Sequence, residues 1–238
     1  MIAVAVAVLG AVPSAATART VAWSGYAWDV RPPGVGAPGP NRWSDAPAAA
    51  RVDGSDLVLS NGRAGGGTGV ELDNRTHLGY GTYRWVVASD LTRFDAHDVL
   101  GLFTYGGSDP SHNEIDIEPA RWGRPFAPTG SVTVWRDAEA GLSRSRSFAF
   151  SARPPYVLQF TWEPDRVAYL VTDAARRTLL AWTVTKNVPV PSTEVPVVNL
   201  WRFGGRAPAR TRTVRLTSFS WLPPAAPRAR GAARRPAR

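Results

Sequence analysis

Short runs of alternating or β-branched residues recur along most of the chain, and no window carries the 3.6-residue apolar period of an amphipathic helix. Strands are predicted at 57–60, 81–88, 99–105, 114–118, 131–135, 148–151, 157–162, 167–172, 179–185, 196–203 and 214–221. Turn signals punctuate them: Asp53 and Gly54 before the first, Asn61 and Gly62 after it, Gly106 and Gly107 behind Phe103. No motif repeats at a fixed period, which disfavours propellers and solenoids. The pattern predicts an all-β fold, a β-sandwich of two packed antiparallel sheets.

The 238 residues, 44% of them hydrophobic, suffice for one sizeable core, and one folded domain is expected over residues 19–222. Residues 1–18 join an apolar run to the small residues Ala16, Thr17 and Ala18, as a secretory signal peptide does, which predicts an exported, extracellular or periplasmic protein. The run lacks a preceding Lys or Arg, and its alternation of Ile2, Val4, Val6 and Val8 with alanine also fits a buried first strand. Residues 31–40 and 223–238 are rich in Pro, Gly, Ala and Arg, so the first is expected as a loop and the second as a disordered tail. No later stretch approaches ~18 consecutive apolar residues, so no transmembrane segment is expected.

The net charge of +9 is inflated by Arg228, Arg230, Arg234, Arg235 and Arg238 in the acid-free tail. Lys186 is the only lysine, so the arginine excess reads as base composition and nucleic acid is not expected as a partner. The chain has no cysteine, which excludes disulfides, thiolate metal sites and a cysteine nucleophile.

One strand carries the chemistry. In EIDIE at 114–118, alternation puts Glu114, Asp116 and Glu118 on one face and sends Ile115 and Ile117 to the core. Three like charges so close are destabilising unless a cation or a proton separates them. A solvated acidic face or a calcium site would account for such a triplet. The aromatic neighbours Phe103, Tyr105, Trp122 and Trp135 favour a cleft instead. Retaining glycoside cleavage requires a carboxylate nucleophile and a carboxylic acid donor about 5–5.5 Å apart, for which Glu114 and Glu118 are the candidates. Four residues of ideal strand span roughly 13 Å, so the strand must curve and the side chains lean inward. Asp116 between them can divide the roles by shifting their pKa values.

These residues resemble glycoside hydrolase family 16, the concanavalin-like jelly-roll glucanases. EIDIE looks like that family's active-site signature. GYGTY at 79–83, GLFTY at 101–105, YVLQFTWEPDRVAYLV from Tyr156 and VPSTEVPVVNLW ending at Trp201 are similar to its segments in the same order, over roughly residues 21–222. The resemblance implies Glu114 as nucleophile, Asp116 as assisting acid and Glu118 as general acid/base. It further implies Glu71 as a substrate ligand, and an endo-acting hydrolase of a β-linked polysaccharide, β-glucan favoured. Tyr105, Trp122, Trp135 and Trp201 are the expected substrate-binding aromatics, with Trp43 behind them. Most of the ten tryptophans must be core. His77, His97 and His112 have no metal-ligand spacing and receive no role, and no metal ligand is assigned. No cofactor is required; the resemblance allows a structural calcium ion without fixing its ligands. A monomer is expected.

The chain departs from the family at several points. Pro119 follows Glu118 where a large apolar residue is usual, and Pro belongs at strand ends or edges. His112 and Asn113 replace the usual Trp and Asp of lichenases, and Ser131 and Thr133 stand where Gln or Asn is common. A non-catalytic carbohydrate-binding protein and a transglycosylase are the alternatives on this fold.

Overall fold

The computed structural model describes residues 18–224 except 107–110, 138–139, 152 and 209. The leader expected over 1–18 and the tail over 223–238 lie outside the described residues, but for Ala18, Pro223 and Pro224. The strands of the N-terminal half are β1 Thr20–Trp23, β2 Tyr26–Val30, β3 Gly34–Gly36, β4 Asn41–Trp43, β5 Ala50–Asp53, β6 Asp56–Ser60, β7 Val70–Asn74, β8 Gly81–Val87 and β9 Asp98–Tyr105. Those that follow are β10 Ile115–Pro119, β11 Gly130–Asp137, β12 Leu142–Phe148, β13 Tyr156–Glu163, β14 Arg166–Thr172, β15 Thr178–Val184, β16 Val195–Arg202 and β17 Thr213–Leu222.

They form two large antiparallel sheets, as the alternation predicts. One has the order β1-β2-β7-β16-β9-β10-β11-β12 and the other β15-β14-β13-β8-β17-β6-β5, with β3 and β4 as a separate ribbon. In β13, Tyr156, Leu158, Phe160 and Trp162 are buried while the residues between them are partly exposed. In β8, Gly81, Tyr83, Trp85 and Val87 behave alike, and the two strands pair residue for residue. Their rings form one aromatic cluster: Tyr83 stacks on Phe160 at 4.8 Å between centroids, and Trp85 lies 5.2 Å from Phe219. Ile115 and Ile117 enter the same core from the facing sheet, fully buried with Leu100, Leu102, Val132 and Val134. Burial of side chains this large, about 1.5–3 kcal/mol each, drives the sheets together and fixes which face of β10 points outward.

Three expectations are corrected. The strand predicted at 148–151 is β12, which ends at Phe148; its sequence LSRSRSF is exposed up to that residue because it is a sheet edge, so no apolar alternation marks it. The segment 31–40 is not wholly loop, since Gly34–Gly36 pairs with Asn41–Trp43. Finally, β10 begins at Ile115 and includes Pro119, one residue beyond the predicted 114–118. Pro119 is its last residue, opposite Gly130, and the missing donor is followed at once by the Ala120 N–H, which bonds the Thr129 carbonyl at 3.0 Å. Proline at this position ends the strand without displacing Glu118 from its register with Ser131.

Candidate active site

Strand register builds the site on the outer face of the larger sheet. One row of adjacent side chains crosses it as Asp29, Asp73, Val197, Phe103, Asp116, Thr133 and Ser145. The parallel row beside it contains Glu71, Asn199, Gly101, Glu118, Ser131 and Ser147, with Gly101 flanking Glu118 in the next step of the register. From β2 to β12 the longer row extends roughly 29 Å at ~4.8 Å per strand. The central residues of both rows, from β7 to β10, floor a cleft of about 800 Å³ whose lining includes Glu71, Asp73, Phe103, Tyr105, Trp122, Trp135, Asn199 and all three acids of the 114–118 run. A groove running across strands admits an extended polymer.

Glycine is required beside Glu118. A Cβ on Gly101 would stand 2.4 Å from the Asn199 Oδ1 and 3.1 Å from the Phe103 ring, so the floor is lowest next to that acid. Asn199 is buried, accepts the Gly101 N–H at 3.0 Å and donates to Glu71 Oε2 at 3.0 Å. Arg31 donates to Glu71 Oε1 at 2.9 Å and lies over the Trp43 ring at 4.2 Å. Glu71 therefore has a fixed orientation in the cleft wall.

Glu114, Asp116 and Glu118 are brought together, as alternation predicted. Glu114 precedes β10, yet its carbonyl accepts the Trp135 N–H at 3.1 Å and its own N–H reaches the Ser111 carbonyl at 3.0 Å, so the ladder continues through it. Burial raises the Glu114 carboxyl to about 7, an effect eased by a hydrogen bond from Asp116. Asp116 is pushed well above the carboxylate range by burial and by the charges of Glu114 and Glu118. Glu118 is raised to about 8 by burial and by Glu114. The electrostatic order is therefore that Asp116 keeps a proton and donates it to Glu114, Glu118 holds a proton at neutral pH, and Glu114 ionises first. Protons resolve the like-charge conflict of this face.

The expected aromatics divide. Trp135 donates from Nε1 to Asp116 Oδ2 at 2.8 Å, and Trp122 donates from Nε1 to Ser131 Oγ at 3.2 Å; both line the cleft. Tyr105, which lines the cleft, is 44% exposed and stacks on His112 at 5.1 Å, so the histidine supports the ring from behind. Trp201 is 6% exposed and packs against Trp122 at 6.0 Å; it reaches the cleft as a wall more than as an open platform. Trp43 is buried under Arg31 and is not a platform. The end of β16 carrying Trp201 is pinned by Arg202, whose Nη1 bonds Asp95 and Asp98 at 2.6 Å each.

Sequence reasoning missed Arg31 and Asp73. Asp73 lies two residues from Glu71 on one strand, so the alternation rule that found the acid triplet would have placed it in the cleft. Its carboxyl is raised to about 7 by burial and by Glu71. Arg31 carries no local signal, because it lies beyond β2 and reaches Glu71 only through tertiary pairing. Among the described residues no group of three or more His, Cys, Asp or Glu side chains is arranged to hold a metal ion. No helix among them is long and apolar enough to cross a membrane.

No protein-family model matches the chain, and no curated protein is significantly similar to it. Solved structures are similar. A prokaryotic β-1,3-1,4-glucanase (lichenase) from a mouse hindgut metagenome superposes with a TM-score of 0.62 at 20% identity, covering 82% of this chain and 92% of that one. The Bacillus licheniformis β-glucanase gives 0.61 at 18% identity, over 82% and 91%. An immunostimulatory antigen and pseudo β-1,3-glucanase of Mycobacterium tuberculosis gives 0.60 at 19%, over 80% and 88%. With register, sheet order and these superpositions together, the chain has the concanavalin-like β-sandwich fold of the family 16 glucanases.

Proposed function

We propose that the protein is an endo-acting, retaining glycoside hydrolase of a neutral β-linked polysaccharide, β-glucan favoured, acting outside the cytoplasm. The observation that carries this reading is the alignment of Glu114, Asp116 and Glu118 on the floor of a groove open across the strands, with a proton held between the first two. In the first step a Glu114 oxygen attacks the anomeric carbon as the bond to the leaving oxygen breaks, and Glu118 gives that oxygen its proton. In the second, Glu118 takes a proton from water, whose oxygen displaces Glu114 from the same carbon. The Asp116 hydrogen bond supports the charge that returns to Glu114. Lichenases among the solved structures of this fold support a β-glucan substrate.

A second reading is binding without turnover, favoured by the existence of a pseudo-glucanase with the same fold. The test is a panel of soluble polysaccharides incubated with the intact protein and with Glu114→Gln. Release of reducing ends by the first and a loss of about 10³-fold or more in the second is expected. Equal release by both would refute the catalytic role, and binding with no release by either would favour the second reading.

A further inference from the structure

One carboxylate lies on the core side of the larger sheet. Val195, Val197 and Asn199 line the cleft, while Val198 and Leu200 of the same strand enter the core, and Glu194 continues that inward row. Its side chain is fully buried, a position that a carboxylate holds only with strong partners. Oε2 accepts the Ser192 N–H at 2.7 Å and Asn113 Nδ2 at 3.1 Å. His77 Nδ1 stands 3.3 Å from Oε1 and donates to the Glu194 carbonyl at 2.7 Å. Asn113 Nδ2 also donates to Ser192 Oγ at 2.8 Å. The carboxylate therefore ties the segment entering β16 to the residue immediately before Glu114.

That residue sits in an unusual turn. His112 and Asn113 are consecutive non-glycine residues at φ +52 and +51, a left-handed pair that side chains rarely adopt. Such backbone persists only where its surroundings over-determine it. Here the Gly106 N–H bonds the His112 carbonyl at 2.8 Å, and Thr104 Oγ1 donates to the Asn113 carbonyl at 2.7 Å. The segments touch directly, since a Cβ on Gly106 would stand 2.8 Å from Glu194 Cα. Asp116 is fastened separately, by Trp135, so a change in the turn would shift Glu114 against a fixed neighbour.

We infer that Glu194 is a positioning residue: through the Asn113 amide its buried carboxylate holds the left-handed turn that places the Glu114 carboxyl beside Asp116. It touches neither substrate nor reacting atoms, and the inference rests on the proposed function for the reaction it serves. Crystal structures and kinetics of the intact protein and of Glu194→Ala, Glu194→Gln and Asn113→Gly test it. Glutamine keeps an oxygen for both donors. Glycine accepts the left-handed backbone but removes the amide, which keeps the test open should the alanine variant fail to fold. Glu194→Ala and Asn113→Gly should move the Glu114 carboxyl by about 1 Å with Ile115 to Glu118 in place, and lower kcat on the order of 10²-fold with little change in KM. The acid limb of the pH profile should move to higher pH, because the lost Asp116 hydrogen bond no longer eases the upward push of burial on Glu114; the alkaline limb should stay. Glu194→Gln should recover most of the loss. A Glu114 carboxyl unmoved in the variants, or a lowered Tm with kcat and both limbs unchanged, would overturn the inference. If the intact protein turns over no polysaccharide and Glu114 still moves, only the hydrolase reading falls.

Discussion

Trp135 and Asp116 are joined by one hydrogen bond, from the indole Nε1 to Oδ2 at 2.8 Å, across the pair of strands that carries the acids. The ring thus touches the one acid of the triplet that is almost fully buried, at 3% exposure. This bond opposes the upward push of burial on Asp116, which also hydrogen-bonds Glu114. Trp135→Phe keeps a ring but removes the donor. Hydrogen bonds to charged or proton-sharing groups are worth about 1.5–3 kcal/mol. The variant should lose roughly tenfold or more in kcat with little change in KM, measured on the preferred polysaccharide. A pure KM effect would show that the ring serves only as a platform.

The pH profile of kcat/KM should be a narrow bell. Glu114, raised to about 7, must be ionised to attack, so activity falls as pH drops below that value. Glu118, raised to about 8, must be protonated to assist departure, so activity falls as pH rises above it. The two limbs belong to the linked acids as a set. An aryl glycoside with a good leaving group needs less protonation, so its alkaline limb should flatten, most of all in Glu118→Gln. A profile flat between pH 6 and 9 for the polymer would contradict these assignments.

The same shifts affect stability in the opposite sense to ordinary carboxylates. A carboxyl whose folded pKa is raised binds its proton more tightly in the folded state, so its contribution is complete below about 4.5 and is lost as pH rises through the folded value. Glu114, Glu118 and Asp73 all act in this direction, over a window from about 4 to about 8. Asp29 and Asp95, held below the usual range, chiefly by Arg75 and by Arg202 respectively, act oppositely and only at more acid pH. Thermal melts should therefore show Tm declining from pH 5 to pH 8. Glu118→Gln should be stabilised at pH 8, by about 2–4 °C for each kcal/mol recovered. A Tm that rises steadily across this window would contradict the burial of these acids.

Much of this molecule is legible in its sequence because alternation is a geometric rule. Glu114, Asp116 and Glu118 face the cleft and Ile115 and Ile117 the core for no reason beyond strand parity. The short N-terminal strands β1 to β5 escaped because each has only three to five residues, too few for a local pattern, and the pairing partner supplies the order; β7, VELDN, does alternate, and its brevity alone hid it. β12 escaped because an edge strand obeys the needs of solvent. Tryptophan roles were the least legible part: Trp43, Trp201 and Trp135 are chemically identical in sequence, and only tertiary packing separates a buried support from a wall and from a hydrogen-bond donor. The altered positions proved informative, since His112 stacks on Tyr105 and Asn113 donates to Glu194 at 3.1 Å, anchoring the turn before Glu114.

The central claim is that Glu114 forms a covalent bond with the anomeric carbon. Mass spectrometry of the intact protein after exposure to a 2-deoxy-2-fluoro-β-glucan oligosaccharide bearing an activated leaving group tests it directly. The expected result is a mass gain of one fluorinated oligosaccharyl group per chain, the reagent less its leaving group, located by peptide mapping to Glu114 and absent from Glu114→Gln. An adduct on another residue, or turnover of the natural polysaccharide with no adduct from the fluorinated one, would contradict the account.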